Sequence, residues 1–309
     1  MSFIRDITMK QLRALSAVVS AGTVSGAAKI LHVTPPAVSL QLKQFEELTG
    51  IKLLERNSKG LKPTQAGQEI LDTSRRIESL LSGCSDGLDA IKGMTKGSVR
   101  VGVISTAKYF APRALAAFKT KHPEIEMNLQ VGNRKETVAA LEAFEFDFAI
   151  MGRPPKQFEV ERAMIGPHPH ILIAPPEHPL ANERNLRPES LVGEAFLLRE
   201  EGSGTRALTE DLLERAGLPL ASGMEMGSNE TIKQAAMAGL GIALISAHTV
   251  SVELEEGRLS WLDVEGFPIE RSWQVIRRSQ KILMPAAQSL WDFMVSNGHR
   301  FLPETPTNK

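Results

Sequence analysis

Four short stretches of this chain carry the residue types that hold an anion. Ser105-Thr106-Ala107-Lys108 offers hydroxyls and a cation, and Asn133-Arg134-Lys135 an amide and cations. Gly202-Ser203-Gly204-Thr205-Arg206 opens a helix, where free backbone N–H groups and the helix dipole favour negative charge. Ser228-Asn229 opens another. Any one of these is an ordinary helix start, where Ser and Thr serve as caps. Taken together, Ser105, Thr106, Lys108, Asn133, Arg134, Ser203, Thr205, Arg206, Ser228 and Asn229 predict a site for a small anionic or phosphorylated ligand, with Lys and Arg matching phosphate and the hydroxyls its remaining oxygens.

Catalytic alternatives fit less well. The glycine-rich stretch lacks the spaced Gly-Lys-Ser/Thr of a phosphate-binding loop, and with Glu201 before Gly202 it fails the Gly-x-Ser-x-Gly spacing of a nucleophile elbow. Gly239-Leu240-Gly241 precedes a strand, the wrong context for a dinucleotide fingerprint. His168 and His170 point to opposite sides of an extended chain, and no carboxylate or cysteine joins them or His178 at ligand spacing, so no metal and no catalytic residue is expected.

The anion-binding stretches need a scaffold, and the pattern supplies one. Strands are predicted at 99–103, 126–131 and 146–151, with helices running through Phe118 and over 137–144 between them. A second run follows, with strands at 170–174, 195–198 and 242–245 and helices at 205–216 and 230–239. This alternation predicts two α/β units with parallel sheets and a ligand cleft at the carboxyl ends of the strands.

The chain has 309 residues, 42% of them hydrophobic, enough for several domains with proper cores. Its 36 Lys and Arg balance 36 Asp and Glu, yet the first 65 residues hold nine basic against four acidic groups, a local +5. Thr8 caps a helix bearing Leu12, Leu15, Val18 and Val19, which Gly22 stops. A short Ala27-Ala28 helix follows, and Thr34-Pro35-Pro36 starts a third with Ala37, Val38, Leu42 and Phe45 inward. Two short helices with a tight turn describe a helix-turn-helix, leaving Ser39, Gln41, Lys43 and Gln44 toward a DNA major groove. A hairpin over 53–64 forms a wing with Arg56, Lys59 and Lys62 near its tip. The coincidence of motif, wing and charge favours DNA binding over a helical hairpin in an enzyme.

From Gln65 to Lys92 no proline intervenes, and Ile70, Ile77, Cys84 and Ile91 recur seven apart with Ser74, Leu81 and Leu88 between them. This heptad predicts a dimer seam of Ile70, Ile77, Leu81, Cys84, Leu88 and Ile91; a helix packed on its own body is the alternative. Gly93 to Gly97 reads as a hinge. A single cysteine excludes an intramolecular disulfide and predicts a cytoplasmic setting. Arg5, Asp6 and Lys10 interrupt the start, so no signal peptide is expected, and no apolar run is long enough for a membrane span.

Ala27-Ala28, Thr34-Pro35-Pro36-Ala37-Val38-Ser39, Gln41-Leu42, Leu48-Thr49-Gly50, Leu53-Leu54-Glu55-Arg56 and Leu61-Lys62-Pro63-Thr64-Gln65-Ala66-Gly67 resemble the N-terminal module of LysR-type transcriptional regulators. Leu40 stands where that family often carries Arg. The resemblance implies a winged helix-turn-helix domain at 1–65, a dimerisation helix and hinge at 66–97, and a two-lobed, periplasmic-binding-protein-like effector domain at 98–309. Lobe I would comprise 98–167 and 269–302, lobe II 168–268, with crossings near Gly166-His168 and Gly266-Pro268. It implies Thr34, Pro35, Pro36, Ser39, Gln41, Lys43, Arg56, Lys59 and Lys62 as contacts to double-stranded promoter DNA, a homodimer pairing into a homotetramer, contact with RNA polymerase, and no cofactor.

Val103 to Pro112, Met151-Gly152-Arg153-Pro154-Pro155, Pro167-His168-Pro169-His170 and Leu198 to Arg206 are similar to the subgroup regulating Calvin-cycle operons. That similarity implies an activator of carbon-fixation genes with ribulose bisphosphate, phosphoenolpyruvate or NADPH as effector. The rivals are a LysR-type regulator of another pathway with a carboxylate or aromatic effector, and an enzyme or solute-binding protein with a basic head.

Overall fold

Local capping sets the first elements of the computed structural model, which describes residues 6–57, 60–91, 97–217 and 223–304. The Thr8 hydroxyl accepts from Gln11 N at 3.3 Å while Gln11 Oε1 accepts from Thr8 N at 2.8 Å, closing a capping box on α1 (Met9–Ala21). Gly22 ends that helix in the left-handed region at φ 68°. Thr23 caps α2 (Val24–Leu31), and α3 (Pro35–Thr49) begins on the two prolines. β1 (Leu54–Asn57) and β2 (Gly60–Pro63) pair antiparallel as the wing, whose Gly60 takes φ 123° directly against the Gly22 carbonyl. α4 (Gln65–Ile91) follows.

Leu12, Leu15, Val18, Ala27, Ala28, Val38, Leu42, Phe45, Leu53 and Leu71 form one buried core beneath these elements. The chain divides into units Met1–Ser85 and Asp86–Lys309. The division falls inside α4, whose first half joins the N-terminal core: Leu71 and Ser74 are buried and Ile70 and Ile77 pack on it. The hinge expected at 93–97 lies outside the described residues but for Gly97.

The second unit contains β3 (Ser98–Ile104), α5 (Ala111–Lys121), β4 (Glu126–Gly132), α6 (Arg134–Glu142), β5 (Phe148–Met151) and β6 (Val160–Pro167). The chain continues through β7 (His170–Ala174), β8 (Leu197–Arg199), α7 (Gly204–Arg215), β9 (Met224–Met226), α8 (Asn229–Met237), β10 (Ala243–Ser246), α9 (Ser251–Glu255) and β11 (Ser260–Leu262). It returns in β12 (Ser272–Arg278) and ends in α10 (Pro285–Asn297).

One sheet runs β4-β3-β5-β12-β6. Its first three strands are parallel, as expected, but β12 is antiparallel to both neighbours, since it arrives from the other lobe and not through a crossover helix. In the other lobe β8 pairs parallel with β9, and β7 pairs antiparallel with β10 and β11. A parallel bridge from Phe196 to Ile242 joins the two pieces, giving the order β9-β8-β10-β7-β11, the same topology as the first sheet. The fully parallel sheets expected from the sequence are therefore mixed ones. Strands β6, β9, β11 and β12 were not anticipated: β9 and β11 span three residues each, and β6 is an edge strand with little apolar alternation.

Two segments connect the sheets, and they run side by side. His168 N donates to the Arg271 carbonyl at 2.7 Å, His170 N to the Ile269 carbonyl at 3.0 Å, and Ile269 N to the His170 carbonyl at 2.9 Å. The return crossing thus sits at 269–271, just beyond the expected Gly266-Pro268.

Candidate functional site

α3 presents an exposed polar face. Thr34, Pro35, Pro36, Ser39, Lys43 and Gln44 are exposed, Gln41 is half-buried, and Val38, Leu42 and Phe45 anchor the opposite side. Thr34 occupies the cap position but makes no side-chain cap bond: Pro36 removes the second-position N–H, and the third, that of Ala37, donates to the Thr34 carbonyl at 3.0 Å. The Thr34 hydroxyl is thereby left without a capping bond. The helix start therefore presents side chains and not free backbone donors at its first two positions.

Lys43 lies 3.7 Å from Glu47, both well exposed, a pair worth at most about 1 kcal/mol and easily exchanged for a phosphate. Leu40 adds an exposed apolar surface to the same face. On the wing Arg56 is exposed and Lys62 pairs with Glu55 at 2.8 Å; Lys59 lies outside the described residues. Glu46 fixes the wing to α3 by accepting from Leu53 N at 2.9 Å and Lys52 Nζ at 2.6 Å. Burial opposes its charge, but Lys52 and the backbone donors win and hold its pKa below the ordinary carboxylate value.

On α4, Leu80, Leu81, Cys84 and Leu88 are exposed. The seam positions Ile70 and Ile77 are half-buried against the N-terminal core, while the Ile91 side chain lies outside the described residues.

In the second unit the carboxyl ends of β3, β5 and β8 meet around a cavity of about 430 Å³, within the usual range for a small-molecule site. Of the anion-site candidates, Ser105, Thr106, Asn133, Arg134, Ser203 and Thr205 line it. The Ser203 hydroxyl caps α7 by accepting from Thr205 N at 3.3 Å, and Asn133 caps α6 by accepting from Glu136 N at 3.0 Å. Arg134 donates to the carbonyls of Arg153 and Pro154, the latter at 3.1 Å, so it both lines the cavity and holds the loop after β5. Burial, and then the neighbouring Arg153, lower its pKa.

Lys108, Arg206, Ser228 and Asn229 do not line the cavity. Arg206 is committed to Glu210 at 2.8 Å, to Glu225 and to the Arg199 carbonyl at 3.1 Å. Ser228 caps α8 by accepting from Thr231 N at 3.0 Å. Lys108 lies 5.2 Å from the centre of the Tyr109 ring. Asn229 is buried and accepts from Arg199, whose guanidinium also donates to Ser105 Oγ at 3.2 Å and pairs with Glu200 at 2.7 Å. Arg199, passed over in the sequence, thus occupies the oxygens of Ser105 and Asn229 and ties both side chains to β8.

Sequence reasoning also missed Arg153 and Arg271, and it read His168 and His170 as structural; all four line the cavity. Arg153 follows β5 at the strand's carboxyl end, a position that could have flagged it. The His168 and His170 rings are 4.3 Å apart, not on opposite sides, because strand alternation does not hold across the crossover. Burial foremost, then His170, His248 and Arg271, holds the His168 pKa well below the ordinary histidine value. Gly152 is required beneath it, since a Cβ there would stand 2.7 Å from His168 Nδ1.

Among the described residues no group of three His, Cys, Asp or Glu side chains is placed to hold a metal, and no helix is long and apolar enough to cross a membrane.

Residues 9–68 match the profile of the bacterial regulatory helix-turn-helix protein, lysR family, and residues 92–298 that of the LysR substrate binding domain. The chain is 48% identical to the HTH-type transcriptional regulator CbbR of Xanthobacter flavus over 97% of its own length and 90% of that protein's. It is 42% identical to the RuBisCO operon transcriptional regulator of Allochromatium vinosum, over 95% and 97% of the two chains. Among solved structures, the regulatory domain of CcmR from Synechocystis PCC6803 in complex with 2-PG superimposes with a TM-score of 0.63 at 38% identity, covering 65% of this chain and 96% of that one.

Proposed function

The chain belongs to the LysR family of transcriptional regulators, and from that premise we propose that it is a sequence-specific, promoter-binding activator of carbon-fixation genes whose output is set by a small phosphorylated metabolite held between its two lobes. One observation carries the ligand class. The cavity gathers Arg153, Arg271, Arg134, Ser203 and Thr205, and the related CcmR domain holds 2-PG. Cations with hydroxyl donors at a helix start are what a phosphate dianion selects. Ribulose bisphosphate, phosphoenolpyruvate and NADPH are the candidates beside 2-phosphoglycolate, and the lobes 98–167 with 269–302 and 168–268 would close on the ligand.

The test is a gel-shift and footprint on DNA upstream of the adjacent divergent gene, with and without each compound. A protected site of several helical turns that shortens with one of them supports the proposal. Specific binding indifferent to all of them would remove the carbon-fixation assignment, and no specific binding would remove the regulator.

Ser39 on the exposed face of α3 is the candidate for base or phosphate contact. Ser39→Ala should weaken specific binding about 2–10-fold, the value of one net hydrogen bond, and leave ligand binding unchanged. Equal loss of both in titrations of the purified variant would point to misfolding.

The exposed stripe Leu81, Cys84 and Leu88 is the proposed dimer seam, with Ile70 and Ile77 shared between it and the N-terminal core. Leu81→Asp with Leu88→Asp should convert a sedimenting dimer or tetramer to monomer, because paired carboxylates in an apolar seam lose far more solvation than they regain. An unchanged sedimentation coefficient would move the seam elsewhere.

A further inference from the structure

The cavity holds histidines that phosphate recognition by arginine and hydroxyl does not require. His170 lines it, and its Nδ1 lies 3.1 Å from the His168 carbonyl oxygen. A carbonyl only accepts, so Nδ1 carries the proton and Nε2 is left as the basic atom. His168 is stacked 3.7 Å from Trp273, with both ring nitrogens buried and without a hydrogen-bond partner. His248 is held as an acceptor by Trp273 Nε1–H at 3.1 Å. His170 is thus the member of the cluster that both lines the cavity and has its tautomer fixed.

The charged groups around it are nearly all cationic. Arg271 faces His170, and Arg134 and Arg153 line the same space, while the neighbouring imidazoles of His168 and His248, whose pKa values burial lowers, are neutral at neutral pH. Asp211, the carboxylate of the lining, is paired with Arg215 at 3.0 Å. Burial first, with Arg271 and His248 adding to it against the His168 hydrogen bond, pushes the His170 pKa down to about 4, so the ring is neutral at neutral pH.

We infer that His170 takes up a proton at Nε2 when a dianion enters the cavity, so that ligand binding is coupled to proton binding and the site prefers dianions to monoanions. The inference rests on reading the cavity as an anion site. The proton comes from solvent, the Nε2–H bond forms, and that bond donates to a ligand oxygen; no other bond changes. At about 4 Å and the intermediate dielectric of a protein site, each negative charge raises proton affinity by roughly a thousandfold. From a pKa of about 4, one such factor reaches only neutrality, and the second charge of a dianion carries the ring past it.

Sulfate is the discriminating probe, because it stays a dianion across the working pH range and contributes no proton of its own. Calorimetric titration of the full chain with sulfate at pH 7, in buffers of different ionisation heat, should show about one proton taken up per ion bound. Affinity should rise about tenfold for each pH unit lowered between pH 8 and 6, as unit linkage requires. Acetate, a monoanion at these pH values, should bind more weakly and with at most about half a proton. In His170→Asn the uptake should vanish while residual sulfate binding persists.

Sulfate bound with no proton exchanged and a flat pH profile would overturn the inference and leave the anion site standing; an uptake unchanged in His170→Asn would overturn it for this residue. No binding of sulfate or inorganic phosphate at tens of millimolar would overturn the anion-site reading and the inference together. If His170→Asn does not fold, the proton count of the unsubstituted chain decides.

Discussion

Phe45→Ala should abolish specific DNA binding at physiological temperature while leaving anion binding by the second unit intact. Phe45 sits on α3, the helix whose other face carries Ser39 and Lys43, and is completely buried among Leu15, Val18, Val38 and Leu71. Truncating a buried phenylalanine costs about 3–5 kcal/mol, because transfer free energy is lost and the cavity closes only in part. A unit of this size has little more than that in total stability, so the loss consumes most of it. The cores of the second unit share no residue with this one. In scanning calorimetry the transition of the N-terminal unit should therefore fall by about 10–40 °C, with the other in place. If both transitions move together, the two units are not separately cooperative.

Arg271→Met should weaken 2-phosphoglycolate binding about 10–150-fold, and Arg206→Met should change it less than twofold. Arg271 lines the cavity, and a guanidinium-to-phosphate hydrogen bond is worth about 1.5–3 kcal/mol. Arg206 stands in the glycine-rich stretch that first suggests an anion site, yet its guanidinium is spent on Glu210, Glu225 and the Arg199 carbonyl. Fluorescence or calorimetric titration of the two variants separates proximity in sequence from proximity to ligand. Equal effects would place the phosphate at the start of α7 on its outer side.

These two arginines show what was legible in the sequence and what was not. Elements fixed by local chemistry were readable. Thr8 and Thr23 cap, Gly22 stops, Pro35-Pro36 starts a helix, and Ala27-Ala28 lets α2 pack closely, so the helix-turn-helix and wing follow from neighbours within a few residues. Ser203 and Thr205 were found for the same reason, since a helix start is a local event. Arg153 and Arg271 were not, because their place in the cavity depends on strand pairings between distant segments. Lys108 and Arg206 carry suitable charge; the i,i+4 partner Glu210 of Arg206 was readable from spacing, but its second partner Glu225 and the position of both cations outside the cavity are tertiary facts. The order of the mixed sheets was hidden likewise, because β12 returns from the other lobe about a hundred residues after its neighbour β6.

The two crossings between the sheets are bonded to each other through His168 and Arg271 and through His170 and Ile269. A pair of chains bonded edge to edge behaves as a strap: it folds readily across its flat face and resists bending within its plane. Such a strap favours opening and closing of the lobes about a single axis, like a book on its spine. His168, His170 and Arg271 belong to that spine and also line the cavity, so whatever occupies the cavity grips the axis itself. Under the proposed function, an anion there would not have to pull the lobes together from their rims; stiffening the strap at its fold line would set the angle at which they rest.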